Sequence, residues 1–372
     1  MLPYICGEKY QPSSFIETMK KLLTGWLALI TVVAPAFACT GISLKAKDGS
    51  IIFARTIEDS HNDLYSEYVV IPRGQKLFSY TPTGEKGLEF TAKYGVLGLS
   101  VVQKEFIAEG INEKGLETGL FFFPGYGAYE PYTPDKRKIS VGDLQLNQWM
   151  LSQFSTVNEV IEGLKKVRVV GLEPNSVVHY RIGDASGRQV VLEFVDGKAH
   201  FYENTVGVLT NAPGFEWHLT NLNNYINLVP GDAAEQSLNL QALKATGHNS
   251  GFLGLPGDAT PPSRFVRAAF FCATAPKMET AFECITQAFH LLNNFDIPIG
   301  IEIAKGGKTQ LPSATQWTSA IDLTNRIVFY KTAYNSNIRC IDLKTIDFEN
   351  VGYQSFTLDE LRAQPIEEII IF

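Results

Sequence analysis

A cysteine directly follows a run of small residues near the start of the sequence, in "APAFACTGIS", where it is Cys39. The segment before it, Met19 to Ala38, reads "MKKLLTGWLALITVVAPAFA". Two lysines, a short apolar run and a final Ala-x-Ala box are typical of a secretory signal peptide. We expect cleavage after Ala38, which would make Cys39 the first residue of an exported chain, either periplasmic or secreted.

An N-terminal cysteine carries a thiol and a free α-amine on the same residue. The amine has a pKa of about 8 and the thiol one of about 8.5, so the amine can take the thiol proton near neutral pH. We therefore predict that Cys39 is a nucleophile that supplies its own base. Two other interpretations stay open: a lipid-anchored cysteine, against which the bulky Phe37 of the cleavage box argues, and a merely structural cysteine.

The residues before Met19, "MLPYICGEKYQPSSFIET", show no clear period and would place the charged start of the signal peptide in mid-chain. We expect translation to begin at Met19, so that residues 1–38 are an over-long start plus the signal peptide proper, 19–38. No linker rich in Pro, Gly or Ser divides the remainder. Residues 39–372 are therefore predicted to form a single domain.

The composition excludes several classes of protein. The 372 residues include 32 Lys and Arg and 39 Asp and Glu, a net charge of −7, and the lack of basic runs argues against a nucleic-acid partner. A membrane-spanning helix needs about 20 consecutive apolar residues, and no segment after Cys39 has such a run. Neither a metal nor a cofactor is expected, because the histidines form no H-E-x-x-H and the cysteines no C-x-x-C. The histidines are His61, His179, His200, His218, His248 and His290.

The segment after Cys39 has the pattern of a β-hairpin, with two alternating runs joined by Asp48-Gly49. A two-residue turn would place Glu58 opposite Cys39, and so a carboxylate beside the new amino terminus. One extra residue in the turn would shift this register by one. A regular strand would put Arg55 on the other face from Glu58.

The rest of the chain alternates blocks of strands with blocks of helices, without strict βαβ order. This favours an α+β fold with largely antiparallel sheets covered by helices. The predicted strands are Glu67 to Ile71, Gly95 to Val101, Leu116 to Phe123, Val177 to Ile182, Gln189 to Val195, Lys198 to Tyr202, Gly207 to Thr210, Thr315 to Asp322, Arg326 to Thr332 and Ile338 to Asp342. The predicted helical stretches are Gly142 to Val167, with a second start at the capping box of Thr156 and Glu159, then Gly214 to Leu228, Pro262 to Ala273 and Glu279 to Asn294.

Ordered sequence blocks run along nearly the whole chain: "FART" after Cys39, "GINEKGL", "VLTNAPGFEWH", "GLPGDATPPSRFVR" and "TQWTSAIDLTNRIVFYKTAYNSN". With them the chain resembles the choloylglycine hydrolase family, which groups conjugated bile salt hydrolases with penicillin V acylases. The resemblance extends to about Asp347. It implies an N-terminal nucleophile hydrolase, with an αββα sandwich of two antiparallel sheets, that hydrolyses a linear amide. In relatives the segment that follows the aromatic loop contributes to a tetramer, so "YEPYTPDKRKISVGD" is expected to mediate self-association into a homo-oligomer here too.

The resemblance also implies roles for single residues. Carried over by position, Arg55 is the arginine near the nucleophile, Asn211 lies on the oxyanion side and Arg264 closes the site. The family's aspartate falls on Glu58, with Asp59 next to it, and we choose Glu58 because the hairpin pattern brings it near the cysteine. The predicted catalytic residues are Cys39, Arg55, Glu58, Asn211 and Arg264.

Each of these assignments has a plainer alternative. Arg55 could be an exposed strand end, Asn211 a turn residue before a proline, and Arg264 a solvated charge in the first turn of a helix.

The sequence departs from the family pattern at Phe122. Bile salt hydrolases have an asparagine two residues before the proline where this chain reads Phe121-Phe122-Phe123-Pro124. A phenyl ring cannot donate to an oxyanion, so either a backbone N–H suffices or the preferred substrate differs. A glycine or taurine conjugate of a bile salt is the first candidate, and penicillin V or an acyl homoserine lactone the second.

The aromatic stretch "GLFFFPGYGAYEPY" contains the predicted substrate contacts, Phe122, Phe123 and Tyr126. These side chains could surround a large apolar acyl group. A core strand followed by a surface turn is the alternative.

Overall fold

The computed structural model describes residues 38–174, 177–302 and 307–372, so the predicted signal peptide lies outside the described residues except for Ala38. The strands in chain order are β1 (Ala38–Lys45), β2 (Ile51–Glu58), β3 (Glu67–Ile71), β4 (Lys76–Tyr80), β5 (Lys86–Thr91), β6 (Val96–Val101), β7 (Gln103–Asn112), β8 (Glu117–Phe122), β9 (Ser140–Gly142), β10 (Arg168–Val170), β11 (Val178–Gly183), β12 (Gln189–Val195), β13 (Lys198–Glu203), β14 (Val208–Leu209), β15 (Gln236–Leu238), β16 (Gln241–Leu243), β17 (Thr315–Asp322), β18 (Ile327–Thr332), β19 (Arg339–Asp342) and β20 (Gln354–Thr357). The helices are α1 (Leu146–Gln153), α2 (Val157–Leu164), α3 (Phe215–Leu222), α4 (Pro261–Thr274) and α5 (Ala281–Leu292).

Two large antiparallel sheets carry these elements. The first has six strands in the order β14-β1-β2-β17-β18-β19, and the second has eight in the order β13-β12-β11-β8-β7-β6-β3-β20. Helices α4 and α5 pack on the first sheet, α1 packs on the second, and β1 contacts β8 between the sheets. This is the αββα sandwich, and it confirms the predicted fold class.

The central strands are buried along their whole length, polar residues included. Every residue of β2, β6, β8 and β11 is buried, because each strand has another layer of the molecule on both of its faces. Of the described helices, none is long and apolar enough to cross a membrane.

The helix starts follow the capping residues in the sequence. The Thr156 side chain accepts a hydrogen bond from the Glu159 amide at the start of α2, as predicted, and Thr280 and Glu283 form a full capping box at the start of α5. The stretch predicted from Gly142 to Val167 contains two helices, α1 and α2, because the chain turns extended at Phe154.

The hairpin of β1 and β2 has a different register from the predicted one. Its loop holds three residues, Lys47–Gly49, closed by a hydrogen bond from the Ala46 amide to the Ser50 carbonyl (3.0 Å), and Gly49 has a φ of +94°. A three-residue loop that ends in a left-handed glycine adds one residue to the expected two-residue turn.

This added residue changes which groups share a face. Cys39 pairs with Ile57, and Glu58 pairs with Ala38, so the predicted pairing of Cys39 with Glu58 is wrong by one position. Because strand side chains alternate, Cys39 now lies on the same face of the sheet as Arg55.

A buried arginine joins the two sheets beside this hairpin. Arg181 of β11 donates to the carbonyls of Ile42 and Ala54 in the first sheet, at 3.2 Å each. Its other nitrogen donates to the carboxylates of Glu109 (2.6 Å) and Glu117 (2.8 Å). Burial raises the pKa of Glu117 to about 8. The guanidinium thus ties the second sheet to the strands that carry the cysteine.

The cysteines after Cys39 are free in the structure, Cys272 and Cys284 among them. Burial raises the thiol pKa of Cys272 to about 12 and that of Cys284 to about 11. Both thiols are therefore protonated and unreactive at neutral pH.

The space between the sheets at Gly41 gives a first test of this architecture. A Cβ atom there would lie 2.7 Å from the Phe121 ring and 3.0 Å from the Arg181 guanidinium. Gly41→Ala should lower the free energy of unfolding by roughly 1–3 kcal/mol, because it overpacks the interface between the sheets. Urea unfolding measures this. The matched control is Gly352→Ala, whose Cβ meets nothing within 4 Å. Equal unfolding midpoints for the two variants would contradict the packing described here.

Candidate active site

The thiol of Cys39 lies next to a cationic side chain from the neighbouring strand. Cys39 is only 2% exposed, and Nη2 of Arg55 donates to its sulfur at 2.7 Å. The shared face of β1 and β2 makes this contact possible. A guanidinium at this distance favours the thiolate form of a cysteine.

Arg55 is fully buried and is held by the second sheet. Its Nη1 donates to the carbonyls of Leu120 (2.6 Å) and Ala108 (3.3 Å), and its guanidinium lies 4.1 Å from the centre of the Phe121 ring. The alternative that Arg55 is an exposed strand end is therefore wrong. Main-chain carbonyls accept the hydrogen bonds of the guanidinium but carry no net charge to neutralise it. Its positive charge therefore acts on the sulfur.

The main-chain atoms of Cys39 are bound as well. Its nitrogen donates to Oδ1 of Asn211 (3.0 Å), and its carbonyl accepts from Nη1 of Arg264. Oδ1 of Asn211 also accepts from Nη2 of Arg264 (2.7 Å), while Nδ2 of Asn211 donates to the carbonyl of Phe122 (2.8 Å). Because an arginine only donates and a carbonyl only accepts, these partners fix which way the amide points.

Arg264 lies in the first turns of α4 and is 1% exposed, so it is not the solvated charge that the plainer interpretation allows. Besides its contacts to Cys39 and Asn211, it donates to the Ala259 carbonyl and to the Thr40 hydroxyl, both at 2.8 Å. One guanidinium thus joins α4, the cysteine strand and the asparagine loop.

Burial dominates the electrostatics of the thiol in the chain that still carries Ala38. It raises the pKa of the Cys39 thiol, and the charge of Glu58 acts in the same direction. The charges of Arg55 and Arg264 and the backbone N–H of Phe122 lower that pKa. The thiol of this unprocessed chain therefore holds its proton more tightly than an exposed cysteine does.

Glu58 is the buried carboxylate of the site. It accepts a hydrogen bond from the Thr315 hydroxyl at 3.1 Å, and it is fully buried. Burial raises its pKa to about 8, although the nearby charges of Arg264 and Arg55 pull that pKa down.

Asp59 has a local structural role. Its Oδ1 accepts hydrogen bonds from the backbone amides of His61 (2.8 Å) and Asn62 (2.9 Å), which closes a turn after β2. Of the two acids considered from the sequence, Glu58 is therefore the one whose charge acts on the thiol.

The predicted substrate contacts lie at the end of β8 and in the loop after it. The side chains of Phe122 and Phe123 are buried, and Phe123 stacks on the ring of His179 at 4.4 Å. Tyr126 is 54% exposed, with its ring 6.1 Å from that of Phe123. A contact of these three residues with a substrate stays a prediction.

Two histidines near the site had no signal of their own in the sequence. His179 and His218 lie against the main chain at Thr210 and Asn211. His218 ends the block "VLTNAPGFEWH", but a lone histidine in one sequence cannot be told from a core residue. Among the described residues, no group of three or more His, Cys, Asp or Glu side chains could hold a metal ion.

The sequence is similar to that of known amide hydrolases along most of its length. The sequence model of the linear amide C–N hydrolases of the choloylglycine hydrolase family matches residues 39–356. A bile salt hydrolase/transferase of Clostridium perfringens is 36% identical over 82% of this chain and 92% of its own length. A penicillin V acylase of Pectobacterium atrosepticum is 26% identical over 74% of this chain and 73% of its own length.

Solved structures agree with these sequence matches. A mutant of the conjugated bile acid hydrolase from Clostridium perfringens superposes with a TM-score of 0.75, at 31% identity, over 89% of this chain and 100% of that one. Penicillin V acylase from Agrobacterium tumefaciens has the same fold, with a TM-score of 0.68 at 24% identity over 85% of this chain and 90% of that one.

The raised pKa of Glu58 predicts how stability changes with pH. The folded chain that still carries Ala38 keeps the Glu58 proton up to about pH 8, whereas the unfolded chain releases it near the ordinary value of 4.5, so the test uses the unprocessed protein. Unfolding therefore releases a proton in this window, and the stability that protonated Glu58 provides falls as pH rises from 4.5 to 8. Glu58→Gln, which stays neutral, should remove this part of the decline in urea unfolding curves measured across the window.

The matched control for this measurement is Glu89→Gln, at an exposed position on β5. It should leave the pH dependence of stability as in the wild type. A Glu58→Gln curve parallel to the wild-type curve from pH 4.5 to 8 would refute the assignment of a buried, protonated acid at this position.

Proposed function

The chain belongs to the choloylglycine hydrolase family of linear amide C–N hydrolases, and we propose that Cys39 is the nucleophile with which it cleaves its amide. One observation carries the proposal. The two reactive atoms of this residue are both held in place, the sulfur by Arg55 at 2.7 Å and the nitrogen by Asn211 at 3.0 Å. A structural cysteine needs neither contact.

The proposal requires export and removal of Ala38. In the chain described here the Cys39 nitrogen belongs to the peptide bond with Ala38, which packs against Ile297 and Ala314. Removal of Ala38 turns that nitrogen into a free α-amine and uncovers the two apolar side chains beside it. The signal-peptide pattern of the sequence supports this processing, and with it a periplasmic or secreted location.

In the first half of the reaction, the Cys39 α-amine takes the thiol proton, and the charge of Arg55 stabilises the thiolate. The sulfur attacks the carbonyl carbon of the amide, and the carbonyl oxygen becomes an oxyanion. Nδ2 of Asn211 has a second hydrogen besides the one it donates to Phe122, and we assign that hydrogen to the oxyanion, together with a backbone N–H.

In the second half, the C–N bond breaks and the leaving nitrogen takes the proton from the α-ammonium of Cys39. The acyl group remains on the sulfur as a thioester. Water, deprotonated by the same amine, attacks the thioester and releases the carboxylic acid and the free thiol. We assign to Glu58, the strand partner of the removed Ala38, the role of holding the ammonium form of the amine, whose positive charge favours the carboxylate form of Glu58.

For the substrate we propose a glycine or taurine conjugate of a bile salt. The support is the bile salt hydrolase that is 36% identical over most of both chains. Penicillin V is the second candidate, because Phe122 replaces the asparagine that the resemblance leads us to expect in bile salt hydrolases.

The homo-oligomer, a tetramer by resemblance, also remains a proposal. Light scattering of the purified protein tests it.

Replacement of the nucleophile tests the chemistry. Cys39→Ser should lose at least about a thousandfold in turnover of glycocholate, taurocholate and penicillin V, because a hydroxyl is far harder to deprotonate than a thiol. The control is Cys340→Ser, at an exposed cysteine, which should keep the wild-type rate. Wild-type activity in Cys39→Ser, with the fold intact by circular dichroism, would overturn the proposal.

The mass of the exported protein tests the processing. Peptide mapping should find a chain that begins at Cys39 with an unmodified amine. A diacylglycerol on that cysteine would support the lipid-anchored alternative instead and leave the proposed reaction without its base.

A further inference from the structure

Two buried histidines donate hydrogen bonds to consecutive main-chain carbonyls next to the site. Nε2 of His179, on β11, lies 3.1 Å from the Thr210 carbonyl, and Nε2 of His218, on α3, lies 2.9 Å from the Asn211 carbonyl. A carbonyl oxygen only accepts, so each Nε2 carries a hydrogen. The two rings thus hold successive residues of one short segment from different elements.

The segment with Thr210 and Asn211 lies beyond the end of the pairing between β14 and β1. The pairing of β14 with β1 stops at Leu209, opposite Gly41. The carbonyls of the next two residues, Thr210 and Asn211, therefore have no strand partner in the ladder, and the histidines supply their hydrogen bonds instead.

The hydrogen bond from Nε2 of His218 determines the state of the other ring nitrogen, Nδ1. With Nε2 protonated and the ring neutral, Nδ1 is an acceptor, and it is buried without a hydrogen-bond partner in the described part of the chain. The ring stacks on Phe265 at 4.5 Å. Burial lowers the pKa of His218 to about 4, so the ring stays neutral at physiological pH. A phenylalanine could fill the same space without an unsatisfied nitrogen, but it could not hold the Asn211 carbonyl.

His179 is fixed by its other nitrogen. Nδ1 lies 3.1 Å from Oε1 of Glu193, which also accepts the backbone N–H of Phe215 at the start of α3 (2.8 Å). The Phe123 ring stacks on the imidazole at 4.4 Å. His179 therefore connects β11, β12, the end of β8 and the first turn of α3.

We propose that His218 and His179 are positioning residues that aim the Asn211 side chain by holding the two peptide groups on either side of its Cα atom. The amide of Asn211 meets the Cys39 nitrogen, Arg264 and Phe122 at 2.7–3.0 Å, so a small rotation of its backbone breaks several contacts at once. The inference rests on the proposed function insofar as Asn211 acts in catalysis.

Variants of His218 test the proposal on the purified, processed enzyme. His218→Phe keeps a ring against Phe265 but loses the donor, and kcat should fall about tenfold or more while KM changes less than about threefold. His218→Gln places an amide N–H near the position of Nε2 and should restore kcat to within about threefold of the wild type. The control is His200→Phe, at an exposed histidine on β13 that stacks on Tyr202, and its kcat should not change.

A purely structural role would give a different pattern. Wild-type kcat in His218→Phe, or a loss in His218→Gln as large as that in His218→Phe at equal melting temperature, overturns the proposal. If His218→Phe does not fold, His218→Asn replaces it, because its shorter amide cannot reach the carbonyl. Retained kcat in His218→Asn overturns the proposal, and a loss that His218→Gln repairs supports it.

A second readout separates this inference from the proposed function. If the wild type hydrolyses no amide in the panel, the proposed function fails, and hydrogen–deuterium exchange of the peptide that spans residues 208–218 then decides on the role of His218. Faster exchange there in His218→Phe, but not in His218→Gln, supports the positioning role. Equal exchange in all three proteins refutes it.

Discussion

The pairing of Cys39 with Ile57 puts the thiol and the Arg55 guanidinium on one face of the first sheet, and the rest of the site depends on that register. A shift of one residue would turn the sulfur to the opposite face and leave the buried Arg55 without its contact. The three-residue loop at Lys47–Gly49 sets this register from one end of the hairpin. The second sheet then fixes the arginine through the carbonyl of Leu120.

Burial of several cations at one place gives the site its electrostatic character. Arg55 and Arg264 are both almost fully buried, and most of their hydrogen bonds go to carbonyl oxygens and amide or hydroxyl groups, not to carboxylates. Burying such charges is costly unless every N–H finds an acceptor, which is why each guanidinium has several. Around Cys39 the result is a positive field, opposed by the charge of Glu58, an acid whose own ionisation burial suppresses. A negative sulfur or oxyanion is the charge that such surroundings stabilise.

Much of the fold could be read from the sequence wherever a regular pattern specified an element. The strands Glu67–Ile71, Gln189–Val195 and Thr315–Asp322 have the predicted bounds, because alternation and turn residues mark them on both sides. The hairpin of β4 and β5 and the long strand β7 were not predicted, since mixed polar and apolar runs carry a weak period.

The site was predictable only in part. The resemblance to a known family predicted Arg264 and Asn211 as site residues, and the structure places both in hydrogen-bond contact with Cys39. Contacts that depend on register and burial could not be predicted from one sequence. Glu58 pairs with Ala38 instead of Cys39. No sequence pattern indicates that the ring of His218 donates a hydrogen bond to a carbonyl. Local patterns specify elements, whereas hydrogen bonds between distant segments depend on the completed packing.

Trapping of the reaction intermediate shows whether the Cys39 sulfur takes the acyl group of the substrate. The processed enzyme is mixed with excess amide substrate, quenched in acid within milliseconds and digested at acidic pH, which keeps the α-amine protonated and the acyl group on sulfur, and the mass of the N-terminal peptide is measured. The expected product is a peptide that begins with Cys39 and carries the mass of the acyl group as a thioester, which hydroxylamine removes. An acyl group on any other residue, or turnover without an acylated peptide at any quench time, would contradict it.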